Sequence, residues 1–191
     1  MSIESAFLVK PQLEQHQLFI EALIELQQHG DSVDFLEKSL NASALSDKKY
    51  FVRYLQLLND EAAGINLKQN RVAHTIYWLM DQDDQGELIW LGRVDIRHQL
   101  TPYLKKIGGH IGYVIRPTAR RQGYGSLILK LALAKVRQGQ PSIDTPNALV
   151  TCDEGNLASQ KIIEKNGGIY INTVKQKLPL PKKRRYWLPL S

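Results

Sequence analysis

Along the first third of the chain, apolar residues recur at three- and four-residue spacing. Leu18, Phe19, Ala22, Leu23 and Leu26 share one face of residues 13–28, which predicts an amphipathic helix ended near Gly30. Residues 7–10, short and apolar before Pro11, read as a first strand. A second helical region is expected over residues 32–60, broken around 41–47, with a loop at 64–70. The period then changes. Val72, Thr75, Ile76, Tyr77 and Trp78 give residues 72–80 a strand composition, and residues 88–96 match it across the polar, Gly-ended turn 81–86, so the two predict a β-hairpin. Residues 100–109 read as loop and 111–115 as a strand stopped by Pro117. A helix over 123–138 shows Leu127, Ile128, Leu131 and Ala134 on one face, and a short buried strand follows at 148–152. A further helix, 156–166, ends at Gly167 and Gly168. Strands at 169–174 and 185–190 close the chain, joined by a basic turn at 175–184. The order describes one α/β domain with a mixed sheet over residues 1–191. Residues 1–70 form its mainly helical portion and 71–191 its sheet.

Composition narrows the class. With 191 residues, 43% of them hydrophobic, the chain can build a core without a disulfide or a metal. Its one cysteine, Cys152, rules out an internal disulfide and fits a reducing, cytoplasmic setting. The N-terminus has neither a basic n-region nor an apolar h-region, and no apolar run reaches the ~20 residues of a membrane helix, so neither secretion nor a membrane partner is expected. A net charge of +6 makes anions plausible partners without choosing among them.

The main chemical signal is Ile111-Gly-Tyr-Val-Ile-Arg-Pro-Thr-Ala-Arg-Arg-Gln-Gly-Tyr-Gly125, a strand and loop running straight into a helix. A helix's first turn has unpaired N–H groups and a partial positive charge, and so receives phosphate oxygens. Gly123 and Gly125 allow close backbone approach, and Arg120 and Arg121 add charge. No Lys-Ser or Lys-Thr follows the glycines, and no third glycine stands three residues on, so the triphosphate and dinucleotide loops do not fit. A plain strand-to-helix turn with solvated arginines is the alternative.

Here the chain resembles the GCN5-related N-acetyltransferase (GNAT) superfamily. Arg120-Arg121-Gln122-Gly123-Tyr124-Gly125 matches its Q/R-x-x-G-x-G/A element, and Val150-Thr-Cys-Asp-Glu-Gly-Asn156-Leu-Ala-Ser159 matches the next, ahead of Lys165-Asn-Gly-Gly168. The likeness spans roughly residues 92–174. It implies a mostly antiparallel sheet, flanked by helices, with one parallel strand pair that splays apart. It implies acetyl-CoA as the acyl donor, its pyrophosphate on the backbone of Gln122, Gly123, Tyr124 and Gly125, with Arg120, Arg121 and Ser126 also among the cofactor-binding residues. Val114 and Ile115 would pair with the pantetheine arm, Asn156 and Ser159 would touch it, and residues 1–70 would face the acceptor. Asn156 is equally placed to be a helix N-cap.

Acyl transfer to an amine needs a base, because an alkylammonium with pKa ~10.4 cannot attack, and donors for the charge that develops. His110 falls near the position where many family members have a glutamate base, although it could simply cap the strand. His98, at the end of the preceding strand, is the second candidate. Arg97 beside it could bind an acidic substrate, but a solvated strand end is the favoured reading. His16, His29 and His74 have no constellation around them, and no spacing suggests a metal site. The family's usual tyrosine acid is replaced by Ile163, so Tyr113, Tyr124 or Tyr186 would have to stand in, or water would suffice. Cys152 reads as structural rather than as an acyl carrier. Asp153 and Glu154 could orient a cationic substrate or lie in solvent. The run Pro181-Lys-Lys-Arg-Arg-Tyr-Trp187 reads as a solvated turn before a strand.

The leading expectation is therefore an N-acetyltransferase acting through a ternary complex on an amine of a small molecule or protein. A silent coenzyme A-binding or partner-binding domain is the alternative, and a nucleic-acid-binding module is a more distant one. Association into a homodimer is left open.

Overall fold

A computed structural model describes residues 5–31 and 41–191. The helix expected over residues 32–40 lies outside the described residues. Among the described residues, seven strands form one sheet: β1 (Phe7–Val9), β2 (His74–Gln82), β3 (Leu88–Arg97), β4 (Ile111–Ile115), β5 (Asn147–Asp153), β6 (Ile169–Val174) and β7 (Lys183–Pro189), in the order β1-β2-β3-β4-β5-β7-β6. All neighbours run antiparallel except β4 and β5.

The α-helices of the described residues are α1 (His16–Gln28), α2 (Ala42–Leu45), α3 (Lys48–Ala62), α4 (Pro102–Lys106), α5 (Tyr124–Arg137) and α6 (Leu157–Lys165). Helix α3 starts where the Asp47 carboxylate accepts from the Lys49 N–H at 2.7 Å, and it buries Phe51, Tyr54 and Leu58 at helical spacing. Those side chains join Phe19, Leu23 and Leu26 of α1 against Ile76, Trp78 and Trp90. On the other face α5 and α6 pack Ile128, Leu129, Leu133 and Ile163 against Tyr77, Leu79, Val94, Ile96 and Val150. Alternate residues of β2 thus enter different cores, which is why it is buried from His74 to Asp81.

Three expectations need correction. The loop at 100–109 contains α4, a short helix with Thr101 capping the Leu104 N–H and Pro102 in the first turn. The basic turn ends earlier than expected, because Lys183 and Arg184 belong to β7, with the Arg184 guanidinium 4.6 Å over the Tyr170 ring. Arg97 is buried rather than solvated: its Nη1 donates to the Gly109 carbonyl at 2.9 Å, and its Nη2 lies 3.3 Å from Asp95. Among the described residues, no helix is long and apolar enough to cross a membrane.

Candidate active site

The parallel pair β4–β5 is joined at a single position, Ile111 opposite Val150. Beyond it Gly112 to Ile115 pair only with β3, and Thr151 to Asp153 only with β7. The sheet therefore opens between its two middle strands. At the apex Gly109 takes a φ of +68°, and a Cβ there would stand 2.5 Å from the Leu149 carbonyl oxygen, so only glycine allows so close an approach.

A cleft of about 280 Å³ occupies this opening. From the α5/α6 face it is lined by Tyr113, Cys152, Asn156 and Ser159; from the other face Arg97, Gly112, Thr151, Asp153 and Lys183 line it, with Tyr103 and Leu104 of α4 at its side.

The loop feeding α5 is shaped for an anion. Gly123 has a φ of +91° and turns the chain into the helix. Among the described residues, the backbone N–H groups of Arg121, Gln122, Gly123, Tyr124 and Gly125 meet no acceptor, while that of Ser126 is taken by the Gly123 carbonyl. Such a row of unpaired donors at a helix start suits phosphate oxygens. Arg120 is committed elsewhere, its Nη2 2.6 Å from Asp31 and its Nε donating to the Ile115 carbonyl. Arg121 is exposed at a φ of +60°. Gln122 donates to the Thr118 carbonyl. The Tyr124 side chain turns inward and donates to Asp81 at 3.1 Å, so only its backbone faces the loop. The Ser126 hydroxyl accepts from Asn166.

Helix α1 braces this loop from outside, a contact that sequence reading missed. Glu25 accepts from Nε of Arg116 at 2.8 Å and from the Thr118 N–H at 2.6 Å. Burial acts to raise the Glu25 pKa, but these donors outweigh it and hold the carboxyl below its usual range. Nothing in the local pattern of α1 singles out Glu25, since its partners lie 91 and 93 residues away.

The two histidines proposed as bases are not brought into the cleft. His110 is fully buried, and its Nδ1 accepts from the Leu149 N–H at 2.9 Å while its own N–H donates to the Leu149 carbonyl. Burial lowers its pKa, with Asp144 acting partly against this. His110 thus clips β4 to β5 just ahead of the opening. The His98 Nε2 contacts Thr75 Oγ1 at 2.9 Å, and burial lowers its pKa too. His74 sits 3.5 Å from Glu61, in a buried group with Arg71.

Of the three tyrosines, Tyr113 alone lines the cleft. Its hydroxyl is buried and, among the described residues, has no well-aligned hydrogen-bond partner; burial pushes its pKa up to about 12, with the Ser159 hydroxyl acting against this. Tyr186 is buried and donates to Glu164. Ile163, which stands where the family has a tyrosine, is wholly in the core against Gly168. Asn156 does cap α6, accepting from the Ser159 N–H at 3.0 Å, while also facing the cleft. Among the described residues, no group of His, Cys, Asp and Glu is arranged to hold a metal ion.

Comparison with known proteins agrees with this fold. A family model described as an acetyltransferase (GNAT) domain matches residues 20–169. A search of curated proteins finds no match. Among solved structures, the ribosomal-protein-S5-alanine acetyltransferase of Vibrio fischeri aligns with a TM-score of 0.68 at 11% identity, over 99% of this chain and 95% of that one. Mycobacterium smegmatis RimJ, solved in complex with CoA-disulfide, aligns with a TM-score of 0.67 at 12% identity, over 96% and 81%. The microcin C7 self-immunity acetyltransferase MccE, solved with acetyl-CoA and AMP, gives 0.63 at 12%, over 97% and 93%. At such identities the likeness is one of fold, but the family match covers most of the sequence. The chain belongs to the GNAT family of acetyltransferases.

Proposed function

We propose that the protein transfers an acetyl group from acetyl-CoA directly to a primary amine, with both substrates bound together. The observation that carries this reading is the cleft between β4 and β5, lined from one face by Tyr113, Asn156 and Ser159 and from the other by Arg97, Asp153 and Lys183. The unpaired N–H row from Arg121 to Gly125 fits the pyrophosphate, and the free edge of Val114 and Ile115 fits an extended arm. The thioester, when bound, supplies an activated acetyl carbonyl.

Tyr113 is the residue we assign to the developing charge. With its pKa pushed up to about 12 it stays protonated at neutral pH and so keeps an O–H to donate. A thiol ionises near ~8.5, so handing over the proton entirely would be uphill. A hydrogen bond from Tyr113 to the carbonyl oxygen or departing sulfur stabilises charge without that transfer. Ser159, beside it, is the second donor. Direct attack is favoured over an acyl-cysteine, because burial pushes the Cys152 thiol up to about 11. With both histidines outside the cleft, water at its mouth takes the amine proton, and the pH profile then follows the acceptor amine rather than an imidazole.

The silent-domain reading draws on Ile163 of α6, but Tyr113 supplies a hydroxyl from strand β4. Calorimetric binding of acetyl-CoA, followed by thiol release across a panel of amines, tests the proposal. Binding without release for any amine would leave the silent domain, and absence of binding would overturn both.

A further inference from the structure

The acceptor side of the cleft already contains a primary amine. Lys183 and Asp153 are directly opposed across the β5–β7 ladder, so their side chains share a face. That face carries Thr151 too and is opposite the one on which Tyr113 and Cys152 pack with α5 and α6. The Lys183 Nζ stands 2.7 Å from Asp153 Oδ1 with its side chain only 22% exposed, so the ammonium is held inward. Both residues line the same cleft as Tyr113, Asn156 and Ser159.

Among the described residues, no other lysine lines this cleft. Lys182, its neighbour, does not line the cleft, pairs with Glu154 and is half exposed. Lys105 and Lys106 lie exposed on α4. Arg97, the remaining cation of the lining, is a guanidinium rather than a primary amine and is tied to Asp95 and Gly109.

We propose that Lys183 is a self-acetylation site, modified in cis from acetyl-CoA bound in the cleft. This rests on the acetyl-transfer reading above. The ammonium loses one proton to water at the cleft mouth, and its nitrogen forms a bond to the acetyl carbonyl carbon. The carbon–sulfur bond breaks with its electron pair on sulfur, and the nitrogen sheds a second proton. One proton is taken up by the thiolate and one goes to solvent. Holding the amine beside the reaction centre makes the step unimolecular, where exposed lysines must collide with a second molecule. The product is a neutral amide that no longer pairs with Asp153. The acceptor face is left with an uncompensated carboxylate, ready for a cationic amine from solution. Self-acetylation thus converts an acceptor face whose carboxylate is paired with its own ammonium into one that recruits an external one.

Purified protein incubated with acetyl-CoA and no acceptor should gain a single acetyl increment by intact mass, mapped by peptide analysis to Lys183. Its rate per molecule should be unchanged on dilution. The increment should vanish in both Lys183→Arg and Lys183→Gln, and persist in Lys182→Arg. Acetyl groups spread over Lys105, Lys106 and Lys182 with Lys183 unmodified would overturn the proposal, as would equal labelling of unfolded protein or a rate that rises with protein concentration. If calorimetry finds no acetyl-CoA binding, the acetyl-transfer reading itself fails; if acetyl-CoA binds and Lys183 stays unmodified, only the self-acetylation fails.

Discussion

Replacing Glu25 with alanine tests whether α1 holds the anion-binding loop in shape. The side chain is 13% exposed and its partner Arg116 21%, so the pair is largely shielded from water. Removing one partner of a fully buried pair costs about 3–5 kcal/mol. Here Arg116 keeps a bond to the Trp90 carbonyl at 3.2 Å and some access to water, so about 2–3 kcal/mol is expected. Glu25→Gln, which retains one oxygen for the Thr118 N–H, should lose about half of that. Urea unfolding at neutral pH measures both. The pH dependence sharpens the test. A carboxyl whose folded pKa is depressed stabilises the fold above its unfolded pKa of ~4.3, and that contribution disappears as pH falls through the folded value. The gap between wild type and Glu25→Ala should therefore be full at neutral pH and close progressively in acid. The loop must also be reordered on binding in the variant, so acetyl-CoA affinity should fall about fivefold for each ~1 kcal/mol of lost order. An unchanged midpoint, or a gap independent of pH, would refute the bracing role.

Three further outcomes follow from the site. Tyr113→Phe should lower turnover by about one to two orders of magnitude while leaving acetyl-CoA affinity nearly unchanged; equal loss in both would make Tyr113 a packing residue. Gly123→Val places a β-branched residue at a φ of +91° and should all but abolish acetyl-CoA binding, measured by calorimetry, at a stability cost of about 1–3 kcal/mol; unaltered affinity would show the cradle to be misplaced. His110→Ala should cost stability more than chemistry. Because burial depresses its pKa, neutral His110 stabilises the fold above its unfolded value of ~6.5, and stability is lost as pH falls below that. The variant should lack this step in thermal melts, whereas a selective loss of turnover with unchanged melting would restore His110 as a base.

The elements with strong periodicity were legible in the chain itself. Strands β2 and β3, helices α1, α5 and α6, and the turn at Gly123 fell where pattern and punctuation placed them, because each is set by neighbours within a few residues. Helix α4 was not, since five residues hold too little pattern, although Thr101-Pro102 and the terminal lysines were its signal. The candidate site divides in the same way. The loop donors follow from local geometry. The fate of His110, by contrast, depends on Leu149, 39 residues away, and that of Arg97 on Asp95 and the Gly109 carbonyl. A cation in a strand looks solvated until the partner that permits its burial is known. Lys183 passed as part of a solvated basic run because only the β5–β7 register sets it beside Asp153.

The opening between β4 and β5 is also a pair of strand edges inside a sheet. Unpaired edges at a sheet's margin invite other chains to add on, and proteins blunt them with charge, bulges or cover. These two edges face each other across a cleft of about 280 Å³, screened by α4 on one side and α6 on the other. A slender extended arm fits between such edges, whereas a peptide strand carries side chains on both faces and needs its full ladder spacing. The molecule thus keeps two adhesive edges open without exposing them to its neighbours. Trimming the screen at Tyr103 or Leu104 should show first as self-association in scattering measurements, before any loss of fold.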